Sequence, residues 1–387
     1  MEVELVRHYY KNEERNFSSV LATIVKKEGS SYRGLGAKIL LSSSGESSGL
    51  LSGGCLEQEI VRRGLSVLNT GKPSLHTFDS RTNEDVVFGY ASGCKGKISI
   101  FLEELPRSAS PEQLQLYFST KSLARKQTIA VIIECSDPEK IGYRFKSVDQ
   151  FPAPLTDDEA LLLCRFFKDC SVRSKSQSQR FVFGQKSYDV FCDVHHPPVE
   201  VHVIGAGIDA IPVYAFSHQL GWPVQIYDHR PAYLTRVNFP YADNLHLIRP
   251  ENFSEVFKPK SFSNSYVIVM THNYLIDKEY LRALLPLDLA FVGMLGPKLR
   301  GDEILSSLMA EGLALKETDL HKFYNPIGLE LGGDQCETIA LSMIAQIQQL
   351  SVQSSGKPLA AMRDISEHVD LYDKASSKEK RKQLEAF

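Results

Sequence analysis

The most constraining stretch of the chain is Val199–Arg230, VEVHVIGAGIDAIPVYAFSHQLGWPVQIYDHR. Val199, Val201, Val203 and Ile204 suit a buried strand. Gly205-Ala206-Gly207-x-x-Ala210 follows at once, in the position of the G-x-G-x-x-G/A dinucleotide fingerprint. An apolar-periodic helix over Ile208–Leu220 is then expected, ended by Gly221, with a second strand from Pro223 finishing at Asp228. An acid at that point is where a ribose-binding carboxylate belongs. Strand, glycine turn, helix, strand and terminal acid in this order specify a Rossmann unit. Asp209 lies inside the phosphate loop, where it repels a pyrophosphate and occupies the positive end of the helix dipole itself. Pro212 lies early in the same helix, where only a first turn tolerates it well. The expectation is a Rossmann-like crevice altered from its usual nucleotide use.

The C-terminal region continues in the same style. Strands are expected at Leu245–Ile248, Ser265–Met270 and Leu289–Val292. The strand ending at Met270 runs into Thr271-His272-Asn273. Ligands bind beyond the carboxyl ends of such strands, which puts His272 and Asp228 at one mouth. His272 is a candidate for ligand contact or proton transfer, or alternatively a cap for the helix over Asp277–Leu285. His229 and Arg230 extend the acid-bearing loop. Gly293-Met-Leu-Gly296 ends the next strand, its glycines allowing close backbone approach. Lys298 and Arg300 beyond it are anion contacts or plain surface charge. Phe323–Gly333 reads as a Pro/Gly loop before a helix over Asp334–Gln346.

The N-terminal region reads as mixed α+β. A charged helix to about residue 15 precedes strands at Ser18–Lys26, Ala37–Leu41 and Ser48–Leu51. Ser52-Gly53-Gly54-Cys55-Leu56-Glu57 leads into a helix starting at or just after Cys55, closed by Gly71-Lys-Pro73. A thiol at a helix N-terminus is stabilised as thiolate, and Gly53 and Gly54 clear space for a ligand. The alternative is a tight turn over a buried cysteine. After a strand at Leu75–Phe78, Gly89–Gly96 forms a second glycine-rich loop carrying Cys94, with Lys95 and Lys97 beside it. Two cysteines in two such loops make a candidate site for a soft ligand, a metal or a sulfur atom, set against two unrelated turns.

Further on, Lys97–Leu102 and Thr128–Glu134 are expected strands and Pro111–Leu123 and 157–170 helices. Ser171–Gln179 is expected as a solvated loop, with two strands within Phe181–Val194. His195-His196-Pro197-Pro198 reads as a linker rather than a metal-binding pair. The expected organisation is an N-terminal unit over 1–196, a Rossmann-like unit over 197–350 and a polar, partly basic tail over 351–387.

At 387 residues two or three domains are expected. A net charge of −3 gives no basis for nucleic-acid binding. No apolar run approaches a membrane span, and the start Met1-Glu-Val-Glu-Leu lacks a signal peptide's pattern. Seven cysteines without C-x-x-C spacing suit a reducing cytoplasm.

Three features taken together resemble the XdhC/CoxI family, accessory factors of xanthine and carbon monoxide dehydrogenases. They are Ser52-Gly-Gly-Cys55-Leu-Glu57 with the later Gly-Cys94 loop, the Gly-Ala-Gly-x-Asp209-Ala-x-Pro212 turn with Asp228-His-Arg-Pro, and Gly293-x-Leu-Gly with Asn325-Pro-Ile-Gly-Leu. The resemblance spans about Val20 to Ile347. It implies a cysteine-bearing N-terminal domain before a Rossmann domain, and a role in maturing molybdenum hydroxylases. That role is to bind the molybdenum cofactor (molybdopterin), protect it while a cysteine desulfurase installs its sulfido ligand, and hand it to the apo-enzyme. Cys55 and Cys94 would then meet molybdenum or carry sulfur. The glycine turn, Asp228–Arg230, Thr271-His272, Gly293 and Gly296 would contact the organic part. Two other readings stand beside it: an NAD(P)-using oxidoreductase and a thiol-dependent sulfur carrier. A homodimer would let both protomers share one site.

Overall fold

The computed structural model describes residues 2–29, 31–54, 56–79, 96–118, 126–259, 262–358 and 361. The helix α1 (Glu2–Glu14) opens the chain. A five-stranded antiparallel sheet follows, with β1 (Ser19–Gly29) in the centre, flanked by β2 (Lys38–Ser42) and β3 (Ser47–Gly49) on one side. On the other side lie β5 (Gly96–Glu104) and β4 (Ser74–Asp79). Alternation along β1 sorts its side chains between two faces. Val20, Ala22 and Ile24 pack with Ile60 and Val67 of α2 (Glu57–Thr70), while Leu21 packs with Leu5 and Tyr9 of α1. Gly71 ends α2 in the left-handed conformation, with its N–H bonded to the Val67 carbonyl.

A second antiparallel sheet is formed by β6 (Gln127–Cys135), β7 (Arg144–Phe145), β8 (Gln177–Phe183) and β9 (Lys186–His195), in the order β7-β6-β9-β8. Its outer face is covered by α3 (Asp157–Arg173), which begins with a capping box between Thr156 and Glu159. Leu163, Phe166 and Cys170 of α3 pack on Ala130, Ile132 and Val190. The inner face meets the first sheet: Val131, Ile133 and Phe191 pack with Val25 and Phe101. Ionic pairs cross this interface, Lys26 with Asp189 among them. Arg144 donates both guanidinium arms to Glu103 at 2.6 Å, and Lys38 reaches Asp193 at 2.7 Å and Glu2 at 2.8 Å.

Two expectations are corrected by this sheet. The stretch 171–179 is not a loop, since α3 runs to Arg173 and β8 starts at Gln177. Its polar sequence suits an edge strand with one solvated face. His195 is not linker: it is the buried last residue of β9, with Nε2 2.9 Å from Asp193 Oδ2.

The third sheet is parallel throughout. Its strands are β10 (Glu200–Ile204), β11 (Val224–Asp228), β12 (Asn244–Leu247), β13 (Ser265–Val269), β14 (Phe291–Met294) and β15 (Phe323–Tyr324), ordered β12-β11-β10-β13-β14-β15. In strand number this is 3-2-1-4-5-6, the doubly wound Rossmann order. On one face α4 (Ala210–Gln219) and α7 (Cys336–Ser351) bury Val213, Tyr214, Ala340 and Met343 against Val201, Val203, Tyr266 and Ile268. On the other, Tyr280, Leu281 and Leu284 of α5 (Tyr274–Leu284) and Ile304 and Leu308 of α6 (Lys298–Ala310) cover Ile204, Val267 and Val269. Each fully buried side chain of this kind contributes about 1.5–3 kcal/mol. The Pro/Gly stretch 323–333 holds a strand after all, because Phe323 and Tyr324 pair with Val292 and Gly293. No helix of the described residues is long and apolar enough to cross a membrane.

Candidate functional site

The strand order reverses between β10 and β13, and the crevice opens beyond their carboxyl ends. Its first wall is the glycine turn. Gly205 has φ +110°, and a Cβ there would fall 2.5 Å from the Met270 carbonyl oxygen. Only glycine tolerates both conditions, so the turn lies directly against the end of β13. The next amide, Ala206 N–H, donates to Asp228 Oδ2 at 2.7 Å.

Asp228 does not play the part its position suggests. Its side chain is 1% exposed. Besides Ala206 N–H it accepts from the Arg230 backbone N–H at 2.8 Å, Arg230 Nε at 3.0 Å and Nη2 at 2.8 Å. Burial pushes the carboxyl up, but the bonds from Arg230 and Ala206 outweigh it and hold it below the ordinary aspartate value. A carboxylate turned inward and saturated in this way presents no acceptor to a ribose. It aims Arg230, whose guanidinium also lies 4.2 Å over the Tyr233 ring.

Asp209 occupies the turn. A Cβ on Gly207 would meet its Oδ1 at 2.5 Å, and its Oδ2 is 2.7 Å from His272 Nε2. The carboxylate is thus folded over the surface a pyrophosphate uses, tied across the mouth to the loop after β13. His272 holds φ +61°, a conformation costing a non-glycine residue about 1–3 kcal/mol. It does not cap α5. Asn273 does, accepting from Leu275 N–H at 3.0 Å and Ile276 N–H at 3.2 Å.

A second buried acid stands behind the other wall. Asp277 is fully buried and accepts from the Thr271 hydroxyl, the Thr271 N–H at 3.3 Å and Arg300 Nη2. Burial is the larger influence and holds its carboxyl above the ordinary value. Arg300 Nε is buried with no partner among the described residues. Asn325 steadies this wall by donating to the Lys298 carbonyl at 3.0 Å.

The resulting cavity measures about 780 Å³. Gly207, Asp209, Arg230, Thr271, His272 and Gly296 of the expected set line it. Arg300, one of the two candidate anion contacts, also lines it and Lys298 does not; Ile208 and Tyr233 join them, and Met270, Leu295, Cys336, Ile339 and Met343 supply sulfur and hydrocarbon. Gly205, Ala206 and Asp228 stand behind this lining. His229 packs against Asp228, with Nδ1 3.3 Å from its Oδ1. Gly293 lies inside β14, where a Cβ would strike Ile327, so packing accounts for it.

Cys336 is a lining residue that sequence reasoning misses, because nothing local marks it. It is the first residue of α7 and reaches the crevice only through the return of the chain.

In the N-terminal unit, Gly53 and Gly54 belong to the turn before α2, with φ +78° and +113°. Glu57 organises that turn, its carboxylate accepting from Leu51 N–H at 3.1 Å, Ser52 N–H at 2.8 Å and Gly54 N–H at 2.9 Å. Cys55 and Cys94 lie outside the described residues. Among those described, no group of three or more His, Cys, Asp and Glu is gathered to hold a metal ion.

The fold and crevice define a Rossmann protein whose dinucleotide features are turned inward. The chain matches the family model described as XdhC Rossmann domain over residues 201–347, and that described as XdhC and CoxI family over 14–79. It is 30% identical over 337 residues to a Bacillus subtilis protein named as a probable xanthine dehydrogenase subunit, covering 86% of this chain and 92% of that one. The chain belongs to the XdhC and CoxI family. A weaker likeness, 25% identity over 168 residues, is to the uncharacterized protein YqeB of Escherichia coli, covering 43% of this chain and 30% of that one. A solved Bacillus halodurans structure titled a xanthine dehydrogenase shares the fold, with a TM-score of 0.69 at 24% identity, covering 91% of this chain and 96% of that one.

Proposed function

We propose that this chain is a cytoplasmic maturation factor that binds the molybdenum cofactor, protects it during sulfuration by a cysteine desulfurase, and delivers it to a xanthine-dehydrogenase-type molybdenum hydroxylase. Family membership supports a role accessory to such an enzyme. The observation that carries the finer reading is the crevice. It has a hydrocarbon and sulfur floor, two arginines each backed by a buried aspartate, and no ribose acid on offer. A cavity of about 780 Å³ is of the size that encloses a small heteroaromatic ligand.

The residues present fit the organic part of the cofactor. Arg230 and Arg300 would take its phosphate, and Met270, Ile339 and Met343 would cover the flat pterin and exclude water. When bound, the group supplies a molybdenum centre with sulfur-dependent chemistry. Cys55 and Cys94 are proposed to meet it, as metal ligands or as sulfur carriers.

The test is purification under nitrogen from a host that makes the cofactor, measuring bound molybdenum and the fluorescence of oxidised pterin. We expect near-stoichiometric pterin and metal in the wild type. Arg230→Gln should lose pterin, and Cys55→Ala and Cys94→Ala should lose metal. Absence of pterin with NAD(H) retained would move the assignment to an oxidoreductase. Pterin and metal both unaffected by the cysteine substitutions would remove those residues from the site.

A further inference from the structure

We infer that the crevice selects ligands by a terminal phosphate, a phosphomonoester read by Arg230 and Arg300, and rejects ligands whose phosphates are bridged as in a dinucleotide. The inference rests on the crevice being the cofactor site and goes on to name the form of ligand it admits.

In an ordinary Rossmann crevice a dinucleotide lays its pyrophosphate on the glycine turn and its ribose on the acid ending the second strand. In this chain both places are taken from within. Asp209 covers Gly207 and is tied to His272, so a diphosphate lying on the turn meets a fixed negative charge. Asp228 is filled by Ala206 and Arg230. The cationic groups stand elsewhere on the same cavity, Arg230 beyond β11 and Arg300 in the first turn of α6.

Each arginine is already paired with a buried carboxylate, so net charge does little to attract an anion. Unused N–H donors do more: neither Arg230 Nη1 nor Arg300 Nη1, which lies beside Gly296 of the lining, has a hydrogen-bond partner among the described residues. A monoester suits them, since it carries close to two charges and three terminal acceptor oxygens on one phosphorus. A bridged diphosphate spreads its charge along the turn, toward Asp209. The buried aspartates also fix both guanidiniums before the ligand arrives, which favours directed over diffuse recognition.

The test uses the intact chain from a host that cannot make the cofactor, titrated with three flavins as fluorescent probes. Riboflavin has the flat ring system with no phosphate, FMN adds a monoester, and FAD carries the bridged diphosphate. We expect FMN to bind about tenfold or more tighter than either other flavin, the scale of one charge-assisted contact. Arg230→Gln should bring FMN down to the riboflavin level and leave riboflavin unchanged. Asp209→Asn, which keeps a hydrogen-bonding side chain but removes the charge, should raise FAD affinity several-fold without altering the FMN-to-riboflavin ratio.

FMN binding no tighter than riboflavin, no saturable FMN binding at all, or equal FMN and FAD binding by the wild type would overturn the inference. So would a preference that survives Arg230→Gln. Should that variant fail to fold by circular dichroism, Asp209→Asn decides alone, and no gain for FAD overturns the inference. The two readings fail separately. Wild-type protein that copurifies with pterin and molybdenum but ignores the flavin phosphate removes only the phosphate assignment. Intact discrimination without copurifying pterin removes only the proposed cofactor.

Discussion

Asp228 carries one residue's worth of the difference between this crevice and a dinucleotide site. Its place at the end of a strand after a glycine turn is legible in the sequence, but the direction of its side chain is not. That direction depends on Arg230, two residues on, curling back to bind it at 2.8 and 3.0 Å. The pairing has a consequence for acid stability. The folded carboxyl lies below the ordinary aspartate value, so its contribution is present above pH of about 3.9 and is lost as pH falls through the lower folded value. Asp228→Asn should lower stability at pH 7 by about 1–3 kcal/mol, the loss of a buried charge-assisted set. Urea unfolding should show that gap starting to shrink as pH falls below about 3.9, where the wild type begins to lose the same interaction. A gap constant from pH 7 to pH 3 would mean the pair contributes nothing through its charge. Cys336 illustrates the other limit of legibility: a lining residue delivered by a distant element has no local pattern to find, whereas Arg300 follows the glycines of its own loop and is open to reading as an anion contact.

Elements are most legible where burial is complete. The inner strands β10, β13 and β14 of the parallel sheet are buried along their whole length because helices cover both faces, and they read as largely apolar runs. By contrast β8 is a polar edge strand, and β15 is two residues long, defined by partners rather than hydropathy. The charged groups joining elements are also invisible in sequence, although they fix how α1, β2 and β9 meet. Lys38 is 3% exposed and touches Glu2 of α1 and Asp193 of β9. Burial opposes each charge, yet for all three the partners prevail: Lys38 is raised, and Asp193 and Glu2 are lowered. The carboxylates stabilise the fold above their unfolded values and lose that effect as pH falls through the folded ones. The lysine does so below about 10.4 and loses it as pH rises past its folded value. Between about pH 5 and 10 the network is therefore complete. Lys38→Met takes the lysine away from the buried Asp193 and should cost about 3–5 kcal/mol at pH 7, read by denaturant unfolding. The double variant Lys38→Met with Asp193→Leu should recover part of that loss. A single variant as stable as the wild type would show that water reaches Asp193 in solution.

At the scale of the whole molecule the cores fall into two groups. The first two sheets share a hydrophobic cluster of Val25, Phe101, Val131, Ile133 and Phe191, together with the Glu103–Arg144 bridge. The parallel sheet has its own two clusters, to which no described residue before Val199 contributes. The described polar contacts at the junction are modest, such as Asn264 Nδ2 donating to the Pro197 carbonyl at 3.0 Å. We therefore propose that residues up to about 196 and those beyond it unfold as two cooperative units, each with a complete core. Calorimetry of the intact chain should show two transitions. Ile226→Ala, in the core of the parallel sheet, and Ile132→Ala, in the core of the second sheet, each remove about 2–5 kcal/mol. For units of this size that shifts a midpoint by roughly 2–4 °C per kcal/mol. Each substitution should move one transition and leave the other in place. FMN should raise only the transition that Ile226→Ala lowers, because the crevice is lined wholly from that unit. One transition moved by both substitutions would join the two units into a single cooperative fold. In that case a ligand in the crevice would stabilise the cysteine-bearing half directly.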